Sequence, residues 1–205
     1  MAVSSDIAEF LRKDLGAPVG TSHLHMGHLR KAKILPSSKS GFGAATFQSQ
    51  NGVDVLLSML LAPSNSKAVA TVQRVRGLEM RLAVFEGASR GDTLRDQGRN
   101  VFEYLRGLGI GPLNSFGNVL TTVVDALRSD AFTKWAAGIV VDFHDGGTFA
   151  QLYILPTKHR RGIVLSFGQD EKSPPVSRIL RIDERILRSL AETLGPLETL
   201  TPPQA

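Results

Sequence analysis

Apolar positions fall into blocks of differing period along the chain. Over residues 4–15, Ile7, Phe10, Leu11 and Leu15 recur at three- and four-residue spacing, the stripe of an amphipathic helix. Ser4 and Ser5 stand where its N-cap belongs, and Gly16 followed by Pro18 stops it. Residues 16–41, rich in Gly, Pro, Ser and His, read as a long loop with at most a short strand or turn around 28–35. FGAATFQSQNGVDVLLSML then reads as a β-hairpin pairing residues 43–50 with 53–60. Asn51-Gly52 accepts the positive φ that a tight primed turn demands. A second β segment is expected over 68–87, where Val69, Thr71, Gln73 and Val75 alternate on one face; a helix is the alternative there.

The second half of the chain carries sharper signals. Asp92-Thr93 caps a helix to about Arg106 with Leu94, Val101, Phe102 and Leu105 inward. GLGIGP ends it, and Pro112 suits the first turn of another helix bearing Leu113, Phe116, Leu120, Val123, Val124 and Leu127. A short helical turn is expected over 131–138. Apolar runs at 139–144, 149–155 and 162–167, joined by Asp145-Gly146-Gly147 and by Lys158-His159-Arg160-Arg161, predict a three-stranded meander. A strand over 176–182 follows. Asp183 then caps a last helix striped by Ile186, Leu187, Leu190 and Leu194 and ended by Gly195-Pro196.

Strands and helices come in blocks without βαβ alternation, which predicts an α+β fold. Its sheet is expected to be mainly antiparallel, built from an N-terminal hairpin region and the C-terminal meander, with about four helices. Residues 1–195 read as one domain and 196–205 as a tail.

Composition changes this picture mainly by exclusion. With 42% hydrophobic and 21% charged residues the chain resembles an ordinary folded domain. It has no cysteine, which removes disulfides, thiolate metal sites and a cysteine nucleophile. The longest apolar stretch, VDVLLSMLLAP at 53–63, contains Asp54 and is too short to span a bilayer. The N-terminus carries acidic residues and lacks the layout of a secretory signal, so a cytoplasmic location is expected.

Charge adds a direction. The net charge is +5 with a pI near 9.8, and arginine, whose planar fork suits phosphate, dominates the cations. The candidate binding residues are Arg30, Lys31 and Lys33; Lys158, Arg160 and Arg161; and Arg181, Arg185 and Arg188, at helical spacing on the polar side of the last helix. The QRVR segment at 73–76 and Arg178 could extend them. Converging on one surface, they would engage nucleic acid or an acidic protein partner.

Three of the five histidines lie within TSHLHMGHLR. LHMGHLR is similar to the His-x-Gly-His signature of class I aminoacyl-tRNA synthetases, and GTSHLHMGHL to the ATP-gripping segment of nucleotidylyltransferases, one residue short in spacing. That resemblance implies that His25 and His28 would contact a triphosphate and stabilise its transition-state charge. The chain departs from the pattern: no buried strand is read before the motif, and Pro36 ends any helix soon after it. His23, His25 and His28 could instead hold zinc, but their neighbours are cationic and no acidic group stands nearby, so no metal is assigned. SGFGAATF at 40–47 is similar to the central octapeptide of RNA-recognition-motif domains. Ala44 replaces a stacking aromatic there, and the segment is read as a hairpin strand. Asp142 and His144 share a strand face without a nucleophile and are read as a solvated surface.

The leading expectation is a non-enzymatic basic binding or assembly protein. It would engage nucleic acid or an acidic partner as part of a homo- or hetero-oligomer, without a cofactor. The alternative is a nucleotidyl-transferring enzyme using His25 and His28 on ATP.

Overall fold

The computed structural model describes residues 2–37, 45–85, 101, 103, 105–106, 110–111, 114–129, 136–144, 146–156, 162–168 and 179–197. The chain opens with an antiparallel helical hairpin of α1 (Ser4–Leu15) and α2 (Val19–Lys31). Arg30, near the end of α2, donates to the Ser4 hydroxyl at the start of α1, which fixes the antiparallel sense. The serines do not cap α1. The backbone N–H of Val3 donates to Asp6 Oδ2 at 2.8 Å, so a carboxylate in the first turn closes the helix end. Gly16, at φ +64, turns the chain out of α1, and Ala17 donates its N–H to the Leu11 carbonyl at 3.0 Å.

α2 corrects the expected loop. Its core-facing residues Ser22, His25, Met26 and Leu29 recur at helical spacing. Only two of the four are apolar, too faint a stripe for periodicity to register.

The expected Asn51-Gly52 hairpin is likewise absent, because residues Ser49–Leu61 form α3. Asn51 lies in its first turn and accepts the Gln48 N–H at 3.0 Å, so the side chain that suits a turn serves here as a cap. Residues 52–58 are all buried, and a helix covered on every side shows no polar face in its sequence. A short 3₁₀ turn, Asn65–Lys67, leads into α4 (Ala68–Arg76). Ala68, Thr71, Val72 and Val75 pack inward at helical spacing, so the expected strand over 68–87 is a helix followed by β1 (Met80–Phe85).

Residues 101, 103, 105 and 106 are helical with Val101 and Leu105 buried, whereas the expected start of that helix at Asp92-Thr93 lies outside the described residues. So do Pro112 and Leu113; α5 spans Phe116–Leu127 with Phe116, Leu120, Val123 and Val124 buried. β2 (Ala136–His144) takes in residues 136–138, where a helical turn was expected. β3 (Phe149–Pro156) and β4 (Ile163–Gly168) complete the predicted meander. β5 (Ile179–Asp183) and α6 (Glu184–Leu194) follow, and Asp183 Oδ1 accepts the Ile186 N–H at 3.2 Å as the sequence predicted. Besides the helical residues 101, 103, 105 and 106, six α-helices are described in full where about four were expected.

The fold is α+β. All strand pairs are antiparallel, in the order β1-β4-β3-β2-β5. One rung runs through Ala83, Leu165, Leu152, Val141 and Ile182, every one buried, and marks the core face of the sheet. A neighbouring rung sets the small Ala150 between Phe143 and Phe167. That leaves room for Phe116 of α5, whose ring meets both phenylalanines edge-on at 5.3 Å. On the opposite face the next rung is polar: Arg181 holds Asp142 through two bonds of 2.8 and 2.7 Å, and Gln151 donates to Ser166 at 3.3 Å. The β2–β3 turn reaches the helical layer through Gly147, at φ +87. A Cβ there would stand 2.8 Å from Val75 Cγ2.

Candidate nucleic-acid interface

α2 follows Pro18, whose fixed φ and extended ψ suit the residue before a first turn. One side of it is spoken for. Ser22 donates to the Pro18 carbonyl at 3.3 Å, Met26 and Leu29 have no exposure, and His25 is 4% exposed. Burial lowers the pKa of His25, partly offset by a hydrogen bond with Asn65 and reinforced by the nearby His28, so the imidazole is neutral at pH 7.

The other side faces water. Gly20, His23, Leu24, Gly27 and Lys31 recur at spacings of three and four along it. Leu24 is 54% exposed and Val19, at the helix start, 49%. Among the described residues nothing lies within 4 Å of where a Cβ would stand on Gly20 or Gly27, so this face is bare backbone between its side chains. Beyond the helix, Lys33 is exposed and adopts φ +59. Lys31 and Lys33 form no ion pair among the described residues.

The charge around α2 is one-sided. Residues 15–53 contain no aspartate or glutamate, the longest such run in the chain, and carry Arg30, Lys31, Lys33 and Lys39 with His23, His25 and His28. Isolated basic clusters do not reveal that run or the outward glycines and leucine. The signal was the absence of carboxylates.

The other sequence-predicted cations divide sharply. Lys158, Arg160, Arg161 and Arg178 lie outside the described residues. Arg181 is on β5 rather than on the last helix, because strand pairing with β2 runs through Asp183, and its guanidinium is committed to Asp142. Arg188 bonds Glu184 one turn before it. Arg185 is exposed but shares a depression between α1 and α6 with Arg188, Asp14, Glu184 and Glu192, so the charge there is mixed. The QRVR segment is structural as well: Arg74 donates to the carbonyls of Gly146 and Gly147 at 2.8 and 2.7 Å, and Arg76 to buried Asp54. Arg30 is partly buried against Ser4. What remains of the expected surface among the described residues centres on Lys31 and Lys33.

The alternative constellations take definite places. His25 and His28 sit within a helix, not after a strand, and His25 points into the core; the antiparallel sheet offers no parallel strand end to aim them. No three His, Asp or Glu residues among those described could hold a metal ion together. Asp142 serves Arg181, while His144 packs its ring 5.2 Å from that of Phe149. Of the octapeptide-like segment, residues 40–44 lie outside the described residues, and Phe47 is buried and bridged to Ala2. A cavity of about 450 Å³ is lined by Phe47, Gln48, Ser49, Asp125, Arg128 and Leu194, among others. The Arg128 guanidinium there is taken by Ser49 at 2.8 Å and the Gly195 carbonyl at 2.6 Å. No helix of the described residues is long and apolar enough to cross a membrane. Compared with protein-family models, with curated proteins and with solved structures, the chain matches none.

Proposed function

We propose that this protein is a non-enzymatic nucleic-acid-binding module whose contact surface is the outward side of α2 with the lysines that follow it. The observation that carries the reading is the pairing of a carboxylate-free run over residues 15–53 with an open helix face ending in Lys31 and Lys33. A polyanion approaching there meets cations, a neutral helix and no repelling carboxylate from that run. Most of the other described arginines are bound to carboxylates or carbonyls within the fold, which leaves α2 as the favoured side. The Lys158, Arg160 and Arg161 segment would add a second cationic contact.

Fluorescence anisotropy with labelled duplex and single strands, titrated with salt, tests the reading. Binding should weaken steeply with ionic strength, and the Lys31→Ala, Lys33→Ala double variant should lower the log–log salt slope by about 2. Arg74→Ala should lower stability and leave that slope unchanged. Absence of binding to either form at low salt would rule out nucleic acid and turn attention to an acidic protein partner.

A further inference from the structure

We infer that the ligand is B-form duplex DNA, read in its major groove by α2, with Leu24 touching the methyl group of thymine. This rests on the nucleic-acid reading above and narrows it to one polymer and one groove.

Three features of α2 point the same way. A large apolar side chain, Leu24, stands 54% exposed on the second turn, although the helix has a core side available to it. Gly20 and Gly27 are seven residues apart on the outward side, and a Cβ at either would meet nothing within 4 Å among the described residues, so no described packing explains them. Glycine weakens a helix interior, and where it meets no neighbour its use is to let another surface come close to the backbone. Lys31 and Lys33 then mark the far end of the same helix with positive charge.

The partner must therefore be anionic at its edges, apolar in places between them, and concave enough to admit a helix. The major groove of B-DNA is about 12 Å wide and lined by phosphates, and its apolar group is the C5-methyl of thymine. Duplex RNA lacks that methyl, and its major groove is too narrow and deep for side chains to read. Leu24 would pack on a methyl in the floor of the groove, and Gly20 and Gly27 would let the helix sink toward it. Lys31 and Lys33 would meet the phosphate wall.

The test compares one thymine-rich DNA duplex, the same duplex with uracil in place of thymine, and the matching RNA duplex. Each is titrated with the full-length protein and with Leu24→Ala. The thymine duplex should bind most tightly, losing about fourfold per contacted methyl on replacement by uracil, with the RNA weakest. Leu24→Ala should erase the thymine–uracil difference while keeping the salt slope. Gly27→Ala provides an independent arm: its Cβ clashes with nothing in the fold, so Tm should hold or rise while DNA affinity falls. Equal affinity for thymine and uracil duplexes, or an unchanged affinity in Gly27→Ala, overturns the groove assignment and leaves charge-driven binding standing. Failure of every nucleic acid to bind at low salt overturns both.

Discussion

Arg76 Nη1 donates to both oxygens of Asp54, at 2.9 and 2.8 Å, and thereby ties α4 to the centre of α3. Asp54 has no solvent exposure, while the arginine stem lies close over Gly117 of α5, so one side chain joins three helices. Removing the cation strands a carboxylate in the core. Arg76→Ala is expected to cost about 3 kcal/mol at pH 7, and Asp54→Leu with Arg76→Leu considerably less. Urea denaturation of the two variants measures the difference.

The same pair gives stability a pH dependence. Burial pushes the Asp54 carboxyl up to about 6, against the opposing pull of Arg76. The folded protein thus holds this proton more tightly than the unfolded chain. The associated stability is fully present below the ordinary carboxylate range and is lost as pH rises through about 6. A shift of that size is worth up to about 3 kcal/mol. Asp54→Asn should remove the slope, which a series of thermal melts between pH 4 and 7 would reveal.

His25 works in the opposite sense. Its folded pKa is depressed, so its contribution is present above the ordinary histidine value and fades as pH falls below it. Substituting His25 by Phe should therefore steepen the loss of stability with rising pH that Asp54 causes, because the compensating group is gone. The comparison needs only chemical melts of the single variant and the parent across the same range.

A sharper contrast separates His25 from His28. His25→Ala opens a hole under α2 and should cost about 2 kcal/mol, whereas His28→Ala, at a partly exposed position, should change stability by less than about 0.5 kcal/mol. If the two acted together on a triphosphate, both substitutions would instead leave stability alike and remove an ATP-dependent turnover.

Gly147 occupies a demanding position in the β2–β3 turn. Alanine there would need a strained positive φ and would push against Val75 and Leu61. Gly147→Ala is expected to cost about 2 kcal/mol or more. Gly146→Ala, also at positive φ but facing open space, should cost about 1 kcal/mol.

The meander and the last helix were legible because apolar residues keep a clear period in each: polarity alternates from Val141 to Asp142, and Asp183 caps beside a clean leucine stripe. α3 and α4 were misread for a physical reason. A helix buried all round has no polar face to set its period, and valines spaced three apart also satisfy an alternating template over a few residues. Asn51-Gly52 has two uses, a turn and a first helical turn, and only the packing of Gly52 against Leu190 and Leu194 selects the second. The cationic residues were visible, but their commitments were not. Arg181 with Asp142 and Arg76 with Asp54 are separated by 39 and 22 positions, and no local pattern announces such pairs.

The order β1-β4-β3-β2-β5 also fixes a timetable. β2, β3 and β4 are joined by short connections and can zip as they emerge, but β1 must find β4 about 80 residues later in the chain, an entropically slow closure. During synthesis β1 therefore leaves the ribosome with its partner still unmade. The helices of the N-terminal half must keep Ala83 and Val84 from pairing elsewhere until the last third of the protein arrives. Dilution and a slow rate of translation would both favour the correct partner, and refolding at high concentration would favour the strand of a neighbouring chain.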